Sequence, residues 1–364
     1  MPAPPLQLTQ MHTFAWIGKQ GSMAQEIELG LDTFGDVTVG PDGRELPYAE
    51  VIRNVVAEGV LADQVGIDFI GLGEHHRDDY AISSPEVALA AIAAKTERIR
   101  LGSAVTVLSS DDPVRVFQRF ATLDAVSDGR AEVILGRGSF TESFPLFGYE
   151  LSDYERLFEE KLGLFAELVK ETPVTWSGST RAGLTEHDVF PKTVNGIRTW
   201  VGVGGSPESV VRAARHGFPL MLAIIGGEPH RFAPYADLFA RALDQLEQPR
   251  LPVGIHSPGY VGETDAEARE AFFPDYQVMH ARIGKDRGWP PLARASYEQE
   301  IEHGSLYVGS PETVARKIAA TLKAVGATRF DLKYSAGPFS HERMMGGIER
   351  YGTIVAPMVR DILA

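Results

Sequence analysis

Short runs rich in β-branched and apolar residues alternate along this chain with longer stretches whose apolar residues recur at i, i+3, i+4 and i+7. Eight runs predict strands: His12 to Ile17, Asp68 to Gly73, Ile99 to Leu108, Ala131 to Gly136, Thr199 to Gly204, Pro219 to Ile225, Leu251 to Gly262 and Arg329 to Ser335. Between them lie amphipathic helical patterns such as YAEVIRNVVAEGVLADQVG, PEVALAAIAAKTER, PVRVFQRFATLDAVS and ETVARKIAATLKAVG. Strand then helix, eight times over, predicts an α/β fold closed into a TIM (β/α)8 barrel. An open doubly wound sheet would also alternate, but it usually carries fewer strands per domain. Residues 1–11 read as a flexible N-terminal segment and residues 12–364 as one barrel domain. The length beyond that of a minimal barrel falls in Gly18 to Arg44, Pro173 to Arg198 and Gly284 to Tyr307. Glycine, proline and polar residues dominate there, which reads as inserted loops.

Composition narrows the function classes. The 364 residues are 44% hydrophobic and 23% charged, an ordinary globular balance, and the net charge of −14 disfavours nucleic acid and anionic lipid as partners. A small-molecule substrate fits better. With no cysteine, disulfides, thiolate metal sites and thiol nucleophiles are excluded together, so reactivity must come from histidine, carboxylates or a cofactor. The N-terminal MPAPPLQLTQ lacks a signal-peptide pattern and no run of about 18 apolar residues follows, so the chain reads as cytoplasmic and not membrane-bound.

Chemistry concentrates where strands end. The second strand runs into GLGEHHRDDY, placing Glu74, His75 and His76 at the face where barrel enzymes keep catalytic groups. Adjacent strand residues point to opposite faces, so the two histidines do not share a metal ion and no metal is expected. The bland alternative is a hydrogen-bonded histidine at the rim. The fourth strand delivers Arg137 between two glycines, a geometry that lets a guanidinium and bare backbone meet a phosphate, although such turns are also common on surfaces. The fifth strand runs into VGVGGSPESVVRAARHG, where Ser206 caps a helix with Pro207 in its first turn, a ready anion site. Ser-Pro-Glu also opens helices at Ser84 and Ser310, so the glycine-rich approach distinguishes Ser206 rather than the cap itself. The Rossmann pattern is imperfect and lacks the acidic ribose partner. Arg156 reads from spacing as an exposed helix charge. Lys333, on the eighth strand, raises a Schiff-base alternative, with its facing undecided by the alternation of Phe330, Leu332 and Tyr334. Trp16, Phe140, Phe144 and Met221 offer an apolar wall.

Taken together, EHHRDDY, RIRLGSAVTVLSSDDPVR, LDAVSDGRAEVILGRGSF, FPLFGYELSDYER, WVGVGGSPESVVRAARHGFPLML and the closing VGSPETVARKIAATLKAVGATRFDLKY resemble the bacterial-luciferase-like family of flavin-dependent oxidoreductases, in order and approximate spacing. The resemblance implies reduced FMN lying across the barrel mouth. Its phosphate would be held by Arg137, Arg156, Gly205, Ser206 and Ser209, and the backbone of Val203 and Gly204 would line its approach. A non-proline cis bond between Ala104 and Val105 would lie beneath the ring, and His75 would be the catalytic acid/base, with an ordinary histidine pKa suited to both directions. The implied activity is that of a monooxygenase acting on a small organic substrate with O2 through a flavin C4a-hydroperoxide, the reduced flavin coming from a separate flavin reductase and the chain forming a homodimer. Gly136 stands where the light-emitting subunit of bacterial luciferase has cysteine, which disfavours light emission. An F420-dependent hydride-transfer enzyme and a noncatalytic flavin-binding protein are the alternatives.

Overall fold

In the computed structural model, which describes residues 27–364, eight parallel strands close into a barrel: β1 Glu28–Thr33, β2 Phe69–Leu72, β3 Arg100–Ser103, β4 Ala131–Gly136, β5 Arg198–Val203, β6 Leu220–Ala223, β7 Val253–Val261 and β8 Arg329–Lys333. Each strand pairs with the next, and β8 returns to β1 with Arg329 opposite Glu28. The principal helices are α1 Tyr48–Gln64, α2 Pro85–Ala93, α3 Pro113–Val126, α4 Tyr154–Leu168, α5 Pro207–Arg215, α6 Ala233–Gln245, α7 Asp265–Arg287, α8 Arg294–Glu302, α9 Pro311–Val325, α10 His341–Arg350 and α11 Ala356–Leu363. Among the described residues no helix is long and apolar enough to cross a membrane.

The period-2 direction of strand side chains sorts the residues into two cores. Leu29, Leu31, Leu101, Val133, Val201, Leu222, Ile255, Phe330 and Leu332 point outward into the layer shared with the helices. Their neighbours point inward. Phe69, Ile134, Trp200 and Met221 form a separate small cluster inside the barrel. Glycine opposite these rings makes the room: a Cβ on Gly102 would stand 2.8 Å from Phe69, and one on Gly254 would stand 2.6 Å from Met221.

Below that cluster lies an ionic layer. Arg329, fully buried on β8, donates to Glu132 at 2.5 Å and to Asp331 at 2.9 Å, and its guanidinium stacks 3.9 Å from the Phe69 ring centre. Burial works against ionisation of Glu132, but Arg329, Arg198 and Arg100 outweigh it and hold the carboxyl at about 2.

The sequence pattern and the barrel differ in four places. The run His12 to Ile17 and Trp16 lie outside the described residues, and the strand that opens the barrel is ELGLDT, inside the stretch 18–44 read as an inserted loop. Gly30 and Asp32 break its apolar character because both face the interior, where the Asp331 carboxylate packs against Gly30. The run Ile99 to Leu108 is divided: β3 ends at Ser103, the Ala104-Val105 peptide is cis, and a short segment Thr106–Val107 then pairs with β4. The stretch 284–307 holds the last turn of α7 and all of α8. Within 173–198 the chain forms a hairpin, Val174–Trp176 against Leu184–His187.

Candidate functional site

At the carboxyl ends of the strands a cavity of about 350 Å³ opens, and it is lined by residues from all eight strands or their following loops together with α7. His75, Ala104, Val105, Arg137, Val203 and Gly204 all line it. On one wall the cis peptide packs between glycines: a Cβ on Gly136 would stand 2.5 Å from Val105, and one on Gly202 3.2 Å from it. Gly204 also faces the cavity, and a Cβ there would meet no atom within 4 Å. Bare backbone therefore borders open space.

The EHH segment divides its labour by strand alternation. Glu74 is buried, accepts from the Val107 amide at 2.9 Å and pairs with His76 Nε2 at 2.8 Å, so these two residues anchor the chain just beyond the cis bond. His75 turns the other way, into a cage of Phe34, Tyr80 and Phe140 with ring centres 4.6, 4.6 and 4.9 Å away. Its Nε2 is buried without a hydrogen-bond partner. Burial, reinforced by the positive charges of Lys333 and Arg77 and only partly countered by Asp36, lowers the His75 pKa to about 3. The ordinary histidine pKa expected from sequence does not hold: three aromatic walls disfavour the imidazolium, and the ring is neutral at pH 7.

The arginines beside the cavity are gathered by a carboxylate with little signal in the sequence. Glu155, in the first turn of α4, accepts from Arg137 Nη1 through one oxygen and from Arg212 Nη2 at 3.2 Å through the other. Arg137 also lies 5.2 Å from the Tyr154 ring centre. Ser206 caps α5, accepting from the Ser209 amide at 3.3 Å, and its hydroxyl donates to Glu208 at 2.8 Å. The Glu208 carboxyl is lowered first by its own backbone amide and the Ser206 hydroxyl, with Arg212 and Arg137 adding, so both guanidiniums lie within charge reach of this helix start. Ser209 is buried and accepts from Arg212 Nη1 at 3.2 Å. Gly205 holds φ of +116° and its carbonyl accepts from Tyr235 at 2.8 Å.

Gly205, Ser206 and Ser209 thus stand just beyond the cavity wall, whereas Arg156 is half-exposed and paired with Asp153 at 2.8 Å, outside the lining. Arg212 carries little signal in the sequence, because a basic residue inside RAARHG reads as a helix C-terminal charge.

Several cavity residues had little sequence signal. Phe34 sits in the stretch read as a loop. His256 and Pro258 occupy inward positions of β7, where HSPGY interrupts an apolar run, a usable signal. Asp32, Tyr276, Met279 and Trp289 add to the lining, as do Phe140 and Met221, while Phe144 is buried against Tyr154 instead. Lys333 points inward, but its ammonium donates to Asp36 at 3.1 Å and to the Ser335 carbonyl at 2.5 Å. A lysine so paired is a poor Schiff-base nucleophile.

Known proteins share both pattern and shape. A protein of Sinorhizobium fredii, described only as uncharacterized protein y4vJ, is 30% identical over 336 residues, 86% of this chain and 93% of that one. The alkanal monooxygenase alpha chain of Photorhabdus luminescens is 28% identical over 53% of each chain. The monooxygenase RslO1 from Streptomyces bottropensis superposes with a TM-score of 0.78 at 21% identity, covering 91% of this chain and 99% of its own. The oxygenating constituent of 3,6-diketocamphane monooxygenase from Pseudomonas putida, in complex with FMN, gives 0.73 at 19% identity over 91% and 98%. The coenzyme F420-dependent tetrahydromethanopterin reductase of Methanopyrus kandleri gives 0.68 at 18% over 91% and 99%. At such identities the solved structures establish the barrel alone. The sequence model of the luciferase-like monooxygenases matches residues 31–329, from the first barrel strand to the last, and the chain belongs to that family.

Proposed function

We propose that this chain is an FMN-dependent monooxygenase that oxygenates a small, largely apolar organic substrate with reduced FMN and O2. The observation that carries the reading is the cavity itself: bare backbone at Gly204, an arginine at one end, and a neutral imidazole with a free Nε2 in an aromatic cage at the other. These residues fit a flat ring bearing a phosphate. Arg137 and the Gly205-Ser206-Ser209 helix start would hold the phosphate, joined by Arg156 if it leaves Asp153, and Ala104, Val105, Val203 and Gly204 would border the ring. Reduced FMN, when bound, supplies two electrons and the position at which O2 is activated. The protein's own part is to exclude water and place protons. Phe34, Tyr80 and Phe140 keep water from His75, whose neutral ring donates or accepts one hydrogen bond at Nε2. A separate flavin reductase, a homodimer and a cytoplasmic location accompany this reading.

Titrating the protein separately with FMN and with F420 tests the cofactor. Tight FMN binding is expected, and tight F420 binding without FMN binding overturns the assignment. His75→Ala is expected to lower oxygenation by about 10²–10⁴-fold while leaving FMN affinity nearly unchanged. Equal oxygenation by both proteins removes His75 from the chemistry. FMN binding with no O2 consumption identifies a noncatalytic binding protein.

A further inference from the structure

The cavity contains a second imidazole, held in the opposite way to the first. His256 occupies an inward position of β7, level with Asp331 of β8 and Ala223 of β6. Its Nδ1 lies 2.7 Å from Asp32 Oδ2 on β1, across the barrel interior. Asp32 is fully buried, and its other oxygen, Oδ1, has no hydrogen-bond partner. Since Asp32 occupies Nδ1, Nε2 is the ring atom left to a ligand. The His256 ring stacks on Phe34 at 6.2 Å and 18°, and the same Phe34 meets His75 edge-on at 4.6 Å. One phenyl ring thus separates two histidines that line one cavity.

The groups facing His256 set its charge. Burial lowers its pKa, but the Asp32 carboxylate, through charge and hydrogen bond, outweighs burial and raises it; Asp331 adds to the rise and Lys333 opposes it. Lys333 is itself paired with Asp36, and β6 brings only Ala223 and Met221. Farther round the cavity stand Tyr276, His280 and Arg287 of α7, Glu74 and Tyr80 after β2, and Arg137 after β4.

We propose that His256, oriented by Asp32, is a further catalytic residue that delivers a proton from Nε2 to an oxygen atom during oxygenation, with Asp32 its positioning residue. This rests on the monooxygenase reading. Oxygenation with reduced FMN would balance as substrate, O2 and FMNH2 giving oxygenated substrate, water and FMN, so the oxygen atom that leaves as water has to gather two protons where bulk water is excluded. His75, neutral in its cage, holds no spare proton at pH 7. His256 gives one from Nε2 while keeping Nδ1–H on Asp32, and recovers one of the two protons the reduced cofactor would give up, the other ending in the water, so nothing is consumed at the residue.

The test pairs NMR of imidazole-labelled full-length protein with the pH dependence of oxygenated product formed from decanal, the probe substrate, in the presence of reduced FMN and O2. The His256 resonance, identified by its absence in His256→Gln, is expected to titrate above 6.5 and to move to lower pH in Asp32→Asn. Turnover is expected to decline on the alkaline side in wild type. That limb should move to lower pH in Asp32→Asn and vanish in His256→Gln, with at least a tenfold lower rate at pH 7. A His256 resonance that titrates below 6.5, or an unchanged pH profile in His256→Gln, overturns the donor role alone. Wild-type protein that forms no oxygenated product from decanal with reduced FMN and O2 overturns the oxygenation reading and the donor role with it. Should His256→Gln fail to fold, Asp32→Asn decides by the same shift of the limb.

Discussion

The interior of this barrel carries charge at both ends, and the two ends treat it differently. At the amino ends of the strands, Arg329, Glu132 and Asp331 satisfy one another, sealed beneath Phe69 and Trp200. At the carboxyl ends, His75 Nε2 and Asp32 Oδ1 are buried and have no partner. Buried polar atoms are costly when unpaired. A cost met at one end and tolerated at the other separates a structural layer from a working site. The contrast also shows why inward strand positions cannot be judged by residue type: arginine on β8 and glutamate on β4 belong to the ionic layer, while aspartate on β1 and histidine on β7 line the cavity.

The comparison breaks most sharply at the ionic layer. Arg329→Met leaves Asp331 buried without its cation and removes one of the three arginines around Glu132, and is expected to lower stability by about 3–5 kcal/mol, read from urea unfolding. A loss under 1 kcal/mol would show that the layer is hydrated and not sealed.

Next in size is the acid sensitivity that His75 confers. Its folded-state pKa is depressed to about 3, so below about 6.5 the unfolded chain binds a proton that the folded one refuses. The contribution to stability is complete above about 6.5 and is lost as pH falls, with a slope of about 1.4 kcal/mol per pH unit. Wild type should therefore lose stability relative to His75→Gln between pH 6 and pH 4. Parallel stability curves would place His75 in water rather than in its cage. The raised pKa of His256 acts with the opposite sign, stabilising below about 6.5 and losing that contribution as pH rises through the folded value.

Gly204→Leu sharpens the comparison at the mouth, since a side chain there meets only open space. Stability should change by no more than about 0.5 kcal/mol while FMN affinity falls at least tenfold, a loss of about 1.4 kcal/mol of binding. Retained affinity by fluorescence titration would move the ring elsewhere. The smallest effect belongs to Arg156→Ala, whose exposed pair with Asp153 contributes under about 0.5 kcal/mol to stability. A drop in FMN affinity without a drop in Tm would show that this arginine swings onto the phosphate.

The site was legible in proportion to how local its signals are. The histidine after β2, the arginine between glycines after β4 and the capped helix after β5 are short segments with their own geometry, and the structure puts His75, Arg137 and Gly204 around one cavity. Phe34 and Asp32 were missed because β1, interrupted by inward Gly30 and Asp32, has no clean strand pattern. Glu155, which joins Arg137 to Arg212, looked like one more acidic residue in a helix's first turn.

By itself the sequence determined the alternation of strand and helix, hence a barrel, and the strand ends that carry reactive side chains, because period and capping are properties of neighbouring residues. Only the tertiary structure decided which histidine has its pKa lowered and which has it raised. A pKa depends on what the far side of the barrel brings within a few ångströms: three aromatic rings around His75, and for His256 a carboxylate 224 positions away in the chain.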